Sequence, residues 1–200
     1  MGSEPARCNI CSIRDKAVCG ALDPIEIKAL NLIARWRTYK AGDIILIDGT
    51  KSNMLANVVK GVVKLTKSLD DGRQQIVGLQ FAGDLVGDPF GRGSEMSSEA
   101  ATDVELCGLT RAQFTALLEE NPLMQAQMVR QILSDLDAAR EWMLLLGRKT
   151  AEERVASFFL LLAEREQQRL GAPDQHAPVR VELPISRTEI ADFLGLTIET

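Results

Sequence analysis

A single histidine, His176, serves the whole 200-residue chain, which excludes mechanisms built on a histidine pair and most zinc hydrolase sites. Long hydrophobic runs are missing too. The longest, Val155 to Ala163, is nine residues and contains Ser157, far short of the ~20 that span a bilayer. No basic segment followed by an apolar one opens the chain, so a secretory signal is not expected and a reducing cytoplasm is the expected compartment. Basic side chains are outnumbered, 23 Lys and Arg against 28 Asp and Glu, for a net charge of −5. General affinity for polyanions is therefore excluded, and any nucleic-acid function must come from a local site. Neither a nucleophile set beside a base nor a phosphate-cradling glycine loop is evident, which argues against an enzyme. What remains, 46% hydrophobic and 26% charged residues, is the composition of an ordinary globular protein of one or two domains.

Cys8, Cys11 and Cys19 stand in a polar N-terminal arm, residues 1–21, without apolar periodicity. Leu22-Asp23-Pro24-Ile25-Glu26-Ile27 then opens a helix: Asp23 caps it, Pro24 fits its first position, Glu26 its third, and Leu22 staples onto Ile27. After Trp36 come short β-branched runs broken by turns, at 44–47, 58–59, 62–66 and 76–79, with Asp71-Gly72 a strong hairpin signal. The strands, through about Leu109 of a domain over 22–120, read as a compact antiparallel sandwich or roll. Asn121-Pro122 starts a helix of about 25 residues, 121–147. Along it Val129, Ile132, Leu136, Ala139, Met143 and Leu146 recur at alternating spacings of three and four, an uncharged seam of the kind two parallel helices share. Gly147 loosens this helix, and Thr150-Ala151-Glu152-Glu153 is a capping box for the next, to about Arg169.

Beyond the loop 170–178, Val179 to Leu183 alternates like a strand. Ser186-Arg187-Thr188-Glu189 is a second capping box, and its helix ends at Gly195 after about two turns. Leu196-Thr197 makes a tight turn with Thr197 placed to cap a further helix. Short helix, small Ala191 where two helices would cross, turn glycine and second cap together spell a helix-turn-helix over 148–200.

The cysteine spacing carries chemistry. A four-iron, four-sulfur cluster takes one thiolate per iron, and Cys8-x-x-Cys11 supplies two adjacent corners from one tight turn. Cys19 follows after seven residues. Cys107 lies 88 positions later, so a fourth bond would tie the arm to the roll. Spacing alone fits an iron-sulfur site, a structural zinc, redox thiols or unrelated core and surface cysteines.

This order of parts resembles the Crp/Fnr family of bacterial transcription regulators, and the cysteines resemble those of its fumarate-and-nitrate-reductase-regulator branch. The resemblance rests on Cys8-Asn-Ile-Cys11 with Cys19, Gly61-Val-Val-Lys-Leu65, Gly83-Asp-Leu85, Val104-Glu-Leu-Cys107, Thr150-Ala-Glu-Glu-Arg154 and the run Arg187 to Thr197. It implies an α+β fold: an antiparallel β-roll like a cyclic-nucleotide-binding domain, a long dimerisation helix and a winged helix-turn-helix. It further implies a 4Fe-4S cofactor on Cys8, Cys11, Cys19 and Cys107, oxygen as the signal, and a homodimer through the 129–146 seam. Double-stranded palindromic promoter DNA and RNA polymerase are the implied partners, with no membrane. Held at a flexible polar terminus, the cluster would be open to solvent. The rival readings are a small-molecule sensor with structural zinc and an iron-sulfur electron-transfer protein.

In DNA reading, Glu199 matches the family's glutamate at the start of the recognition helix, which accepts from a cytosine amino group. Ser186, Arg187 and Thr197 stand at phosphate-contacting positions, with Thr200 beside them. The family's next two reading residues would follow Thr200, so these 200 residues are expected to bind DNA poorly. Some family members bind cyclic AMP through a Gly-Glu pair and a downstream Arg-Ser pair. Here the positions hold Gly83-Asp84 and Ser94-Glu95, and a carboxylate at the second repels a phosphate. No nucleotide is expected.

Overall fold

The computed structural model describes residues 7–50, 52–90, 96–171 and 178–199. The chain divides into two compact units, 1–135 and 136–200.

In the first unit, the described residues form eight strands in two antiparallel four-stranded sheets. They are β1 Arg35–Tyr39, β2 Ile44–Leu46, β3 Met54–Lys60, β4 Val63–Ser68, β5 Gln74–Gln80, β6 Leu85–Val86, β7 Ser97–Ala100 and β8 Val104–Thr110. One sheet runs β1-β8-β3-β6 and the other β2-β7-β4-β5. The β4–β5 hairpin turns through Asp71-Gly72, where Gly72 takes φ 87°, a conformation glycine adopts without a side-chain clash. Between the sheets lie Leu46, Val58, Val63, Val86, Val104 and Leu106.

Because side chains alternate across a strand, the neighbours of those residues face the other way. Leu55 and Leu109 point outward into a second core, roofed by helix α1, Pro24–Ile33, helix α2, Arg111–Glu120, and the start of α3, Pro122–Arg148. Asp23 caps α1 in a reciprocal box with Glu26, as the sequence predicts, and Leu22 and Ile27 are both buried in this core. Helix α2 is an addition to the sequence reading. Its signal is the capping box Thr110-Arg-Ala-Gln113.

The arm differs from expectation. Two 3-10 helices, Arg7–Ile10 and Val18–Ala21, fold it onto the second core, with Ile13, Ala17 and Val18 buried. Its apolar residues are spaced for short irregular turns rather than for an α-helix, so no helical period marks them. The described part of the arm is therefore a packed layer, not a solvent-open tail.

The second unit is helical. Its first helix is the C-terminal half of α3, followed by α4, Ala151–Leu170, and α5, Arg187–Leu194. Gly147 does not break α3, which continues to Arg148, the cost of one glycine being only ~1 kcal/mol. Thr150 and Ser186 cap α4 and α5 in reciprocal boxes, and Gly171 and Gly195 end them in the left-handed conformation. Phe158 and Leu194 are fully buried, and Trp142 stacks on Phe193 at 4.1 Å. The strand expected over 179–183 does not form. A strand needs a neighbour to complete its hydrogen bonds, and no described residue of this unit is in one. No helix among the described residues is long and apolar enough to cross a membrane.

Candidate metal centre and nucleic-acid interface

The four cysteines arrive from three places and line one cavity in the outer core of the first unit. Cys8 sits in the first 3-10 helix, its backbone N–H donating to Asn31 Oδ1 of α1 at 3.1 Å. Cys11 lies in the turn that follows, its carbonyl accepting from the Arg14 N–H, and Cys19 lies in the second 3-10 helix. Gly20 makes that closure possible: a Cβ there would fall onto the Arg14 carbonyl oxygen. Cys107 comes from β8, directly opposite Trp36 of β1 and Asn57 of β3. All four thiols are free, Cys8 buried and the other three half-buried.

Burial governs their acidity. Desolvation pushes Cys107 up to about 12 and Cys19 up to about 11, and the neighbouring cysteines add to the rise in each. Cys8 is raised for the same reasons, with the Arg14 guanidinium opposing. Cys8, Cys19 and Cys107 thus favour the neutral thiol, and a metal that binds them as thiolates must displace protons. Among the described residues no three His, Cys, Asp or Glu side chains converge tightly enough to hold one metal ion. The donor set, four sulfurs spread round a shared cavity, fits a group that takes one thiolate at each of several metal atoms.

On α3 the predicted seam is largely uncovered. Val129 and Ile132 in the first unit, and Leu136, Ala139 and Met143 in the second, are exposed, while Leu146 is half-buried. The inner face of the same helix is core, with Met124 and Met128 buried beside Cys8 and Val18.

At the far end of the second unit Ser186, Arg187, Thr197 and Glu199 are all exposed. Ser186 is engaged: its hydroxyl donates to Glu189 Oε2 at 2.8 Å and accepts from the Glu189 N–H. Thr197 follows the αL turn at Gly195, and Ile198-Glu199 form a turn rather than a helix. Thr200 lies outside the described residues. Sequence reasoning missed Arg154. Its guanidinium donates to the carbonyls of Leu146 (2.7 Å), Lys149 (3.0 Å), Leu194 (3.0 Å) and Gly195 (3.3 Å). These are carbonyls that the ends of α3 and α5 leave without helical partners, so a single cation closes both helix termini. Its signal was its place in the motif Thr150 to Arg154.

Residues 36–121 match the cyclic nucleotide-binding domain and residues 153–200 the Crp-like helix-turn-helix domain. A probable transcriptional activator of Rhizobium leguminosarum bv. viciae is 48% identical over 196 residues, 98% of this chain and 80% of that protein. The chain belongs to the Crp/Fnr family of transcription regulators. Another relative of this Crp/Fnr regulator is the transcriptional activator protein FnrL of Cereibacter sphaeroides, 40% identical over 97% of this chain and 78% of that one. The structure of FixK2 from Bradyrhizobium japonicum superimposes with a TM-score of 0.71 at 31% identity, over 84% of this chain and 80% of that one. These establish the α+β architecture of a Crp/Fnr protein, roll and helix-turn-helix included. Within that roll, Gly83 takes φ 105° and the Asp84 carboxylate accepts from the Phe81 N–H at 2.8 Å, so the pair that faces a ribose in cyclic-AMP-binding relatives here closes a turn. Ser94-Glu95, the expected obstacle to a nucleotide phosphate, lies outside the described residues.

Proposed function

We propose that this chain is an oxygen-responsive transcription regulator in which a 4Fe-4S cluster on Cys8, Cys11, Cys19 and Cys107 controls dimerisation and binding to palindromic promoter DNA. The observation that carries the reading is the lining of one cavity by all four cysteines, although the fourth lies 88 positions after the third. When bound, such a cluster supplies a redox-labile group that oxygen can dismantle. The chain's own part is to hold three thiols on an arm and one on the roll, so that loss of the group unties one from the other. Met124 gives that event a route outward. It lines the cysteine cavity from the inner face of α3, whose outer face carries Val129 and Ile132.

A parallel homodimer through the 129–146 stripe would bury these exposed apolar side chains and present two helix-turn-helix units to half-sites about one DNA turn apart. The activator names of the Rhizobium and Cereibacter relatives support activation, with RNA polymerase as a further partner, in the cytoplasm. Cyclic nucleotide is not the ligand in this reading, and the role is regulatory rather than catalytic.

The test is anaerobic reconstitution with iron and sulfide, followed by metal analysis and absorption spectroscopy. The expected content is about four irons and four sulfides per chain, lost in each single Cys→Ala variant. Stoichiometric zinc with no iron would overturn the reading. In the same preparation Leu136→Asp should shift sedimentation toward monomer, because two symmetry-related carboxylates would face each other across a desolvated seam.

A further inference from the structure

The cysteine cavity is otherwise apolar, with two exceptions. Apart from the four thiols, the side chains lining it are hydrocarbon or, at Met124, a thioether, except Arg14 on the arm and Asn57 on β3. Arg14 is half-buried, and its charge acts on Cys8 and Cys19. Asn57 is the harder to explain. It stands in a strand row opposite Cys107 on one side and Leu85 on the other, with Leu55 two residues along on the same face. Its side-chain oxygen is buried and has no hydrogen-bond partner. A half-buried asparagine among leucines whose side-chain oxygen accepts nothing carries a cost, where leucine of similar size would carry none.

Directly opposed residues on antiparallel strands carry their side chains on the same face, with Cβ atoms about 5 Å apart. An amide at Asn57 is therefore within side-chain reach of the Cys107 sulfur. In the metal-free pocket that sulfur is a neutral thiol, a poor acceptor, and the amide gains little from it. A metal-bound thiolate is negatively charged and accepts well.

We propose that Asn57 is a positioning residue for the metal centre: its amide N–H donates to the Cys107 thiolate in the loaded protein, stabilising its charge and slowing oxidative loss of the group. The inference rests on the cluster reading above. Removing the donor should make the cluster easier to oxidise, since a hydrogen bond to a cluster sulfur favours the more reduced, more negative state.

The test compares the wild-type chain with Asn57→Leu and Asn57→Gln, each reconstituted anaerobically with iron and sulfide. Iron content, reduction potential and the rate of absorbance loss at fixed oxygen are measured, together with thermal unfolding of the metal-free form. Asn57→Leu should bind iron as the wild type does, show a lowered potential and lose its cluster about tenfold faster, the effect of one charge-assisted hydrogen bond. Asn57→Gln, which keeps an amide, should recover part of that loss. Metal-free Asn57→Leu should unfold no earlier than wild type, because its orphaned oxygen is gone. Failure of Asn57→Leu to retain iron with that unfolding unchanged would be the same result in stronger form. A loaded Asn57→Leu with wild-type potential and oxidation rate would overturn the proposal and leave the cluster reading standing. Earlier unfolding of the metal-free variant would also overturn it, by showing that Asn57 supports the fold. Zinc in place of iron in the wild type would instead overturn the cluster reading itself.

Discussion

The two units place their candidate functional residues by opposite means. In the first, Cys8 and Cys107 share a cavity only because a sheet, two 3-10 helices and three α-helices have closed around it. In the second, Ser186 and Arg187 stand at the start of α5 because Ser186 and Glu189, three residues apart, cap that helix between them. Long-range closure makes a site that can respond to what it binds, since removing the bound group removes a tie between distant segments. Local capping makes a site that depends on little beyond its own turn. A regulator is served by both, a half that can change and a half that stays put.

The sharpest way to separate the halves is to damage the reading half alone. Phe158→Ala, at a fully buried ring that meets Phe193 edge-on, should cost about 3–5 kcal/mol in the unfolding of the second unit while leaving metal content unchanged. Calorimetry with iron analysis on the same sample checks it, and loss of metal would break the separation. Arg154→Ala should come next, at about 3 kcal/mol in urea unfolding, because four carbonyls lose one shared charged donor. Lysine, a single point donor, should rescue it poorly.

How legible each half is in the sequence follows the same division. The caps at Asp23, Thr150 and Ser186 and the hairpin at Asp71-Gly72 each sit within four residues, and all form where the sequence places them. Thr110 to Gln113 carries the same signature, and α2 starts there. The strand over 179–183 fails for the converse reason, since alternation states a preference but cannot supply a pairing partner. At the candidate metal centre the four cysteines stand out by spacing, whereas Arg14 and Asn57 do not. Nothing in Leu55-Ala56-Asn57-Val58 tells that the asparagine faces a sulfur until the register of β3 against β8 is known. Arg154 was hidden similarly, because its partners at Leu194 and Gly195 are 40 and 41 residues away.

A smaller effect distinguishes the halves by pH. In the metal-free chain Cys19 and Cys107 hold their protons more tightly folded than unfolded, with values of about 11 and about 12 against an ordinary 9.0. That contribution to stability is fully present below pH 9 and is lost as pH rises toward the folded values. Stability of the metal-free first unit should therefore fall between pH 9 and 10 more than that of a Cys19→Ala/Cys107→Ala double variant, as read by thermal unfolding at each pH. Equal slopes would mean that the buried thiols contribute nothing.

The smallest expected effect tests where the contrast ends. Asp23→Ala in the first unit and Thr150→Ala in the second each remove a reciprocal cap, and each should cost about 1 kcal/mol. Matching losses in chemical denaturation would show that local chemistry is alike in both halves and that they differ only in what is assembled from afar.

The 88 positions from Cys19 to Cys107 are also an interval of time. At a synthesis rate of roughly 5–20 residues per second, the last of the three arm thiols is made roughly 4 to 18 seconds before the fourth exists. During that interval the arm has no sheet to lie on and can offer a metal at most three sulfurs. A group held by all four is acquired only after β8 has paired between β1 and β3, so its presence in a newly made chain certifies that those strands have found their register.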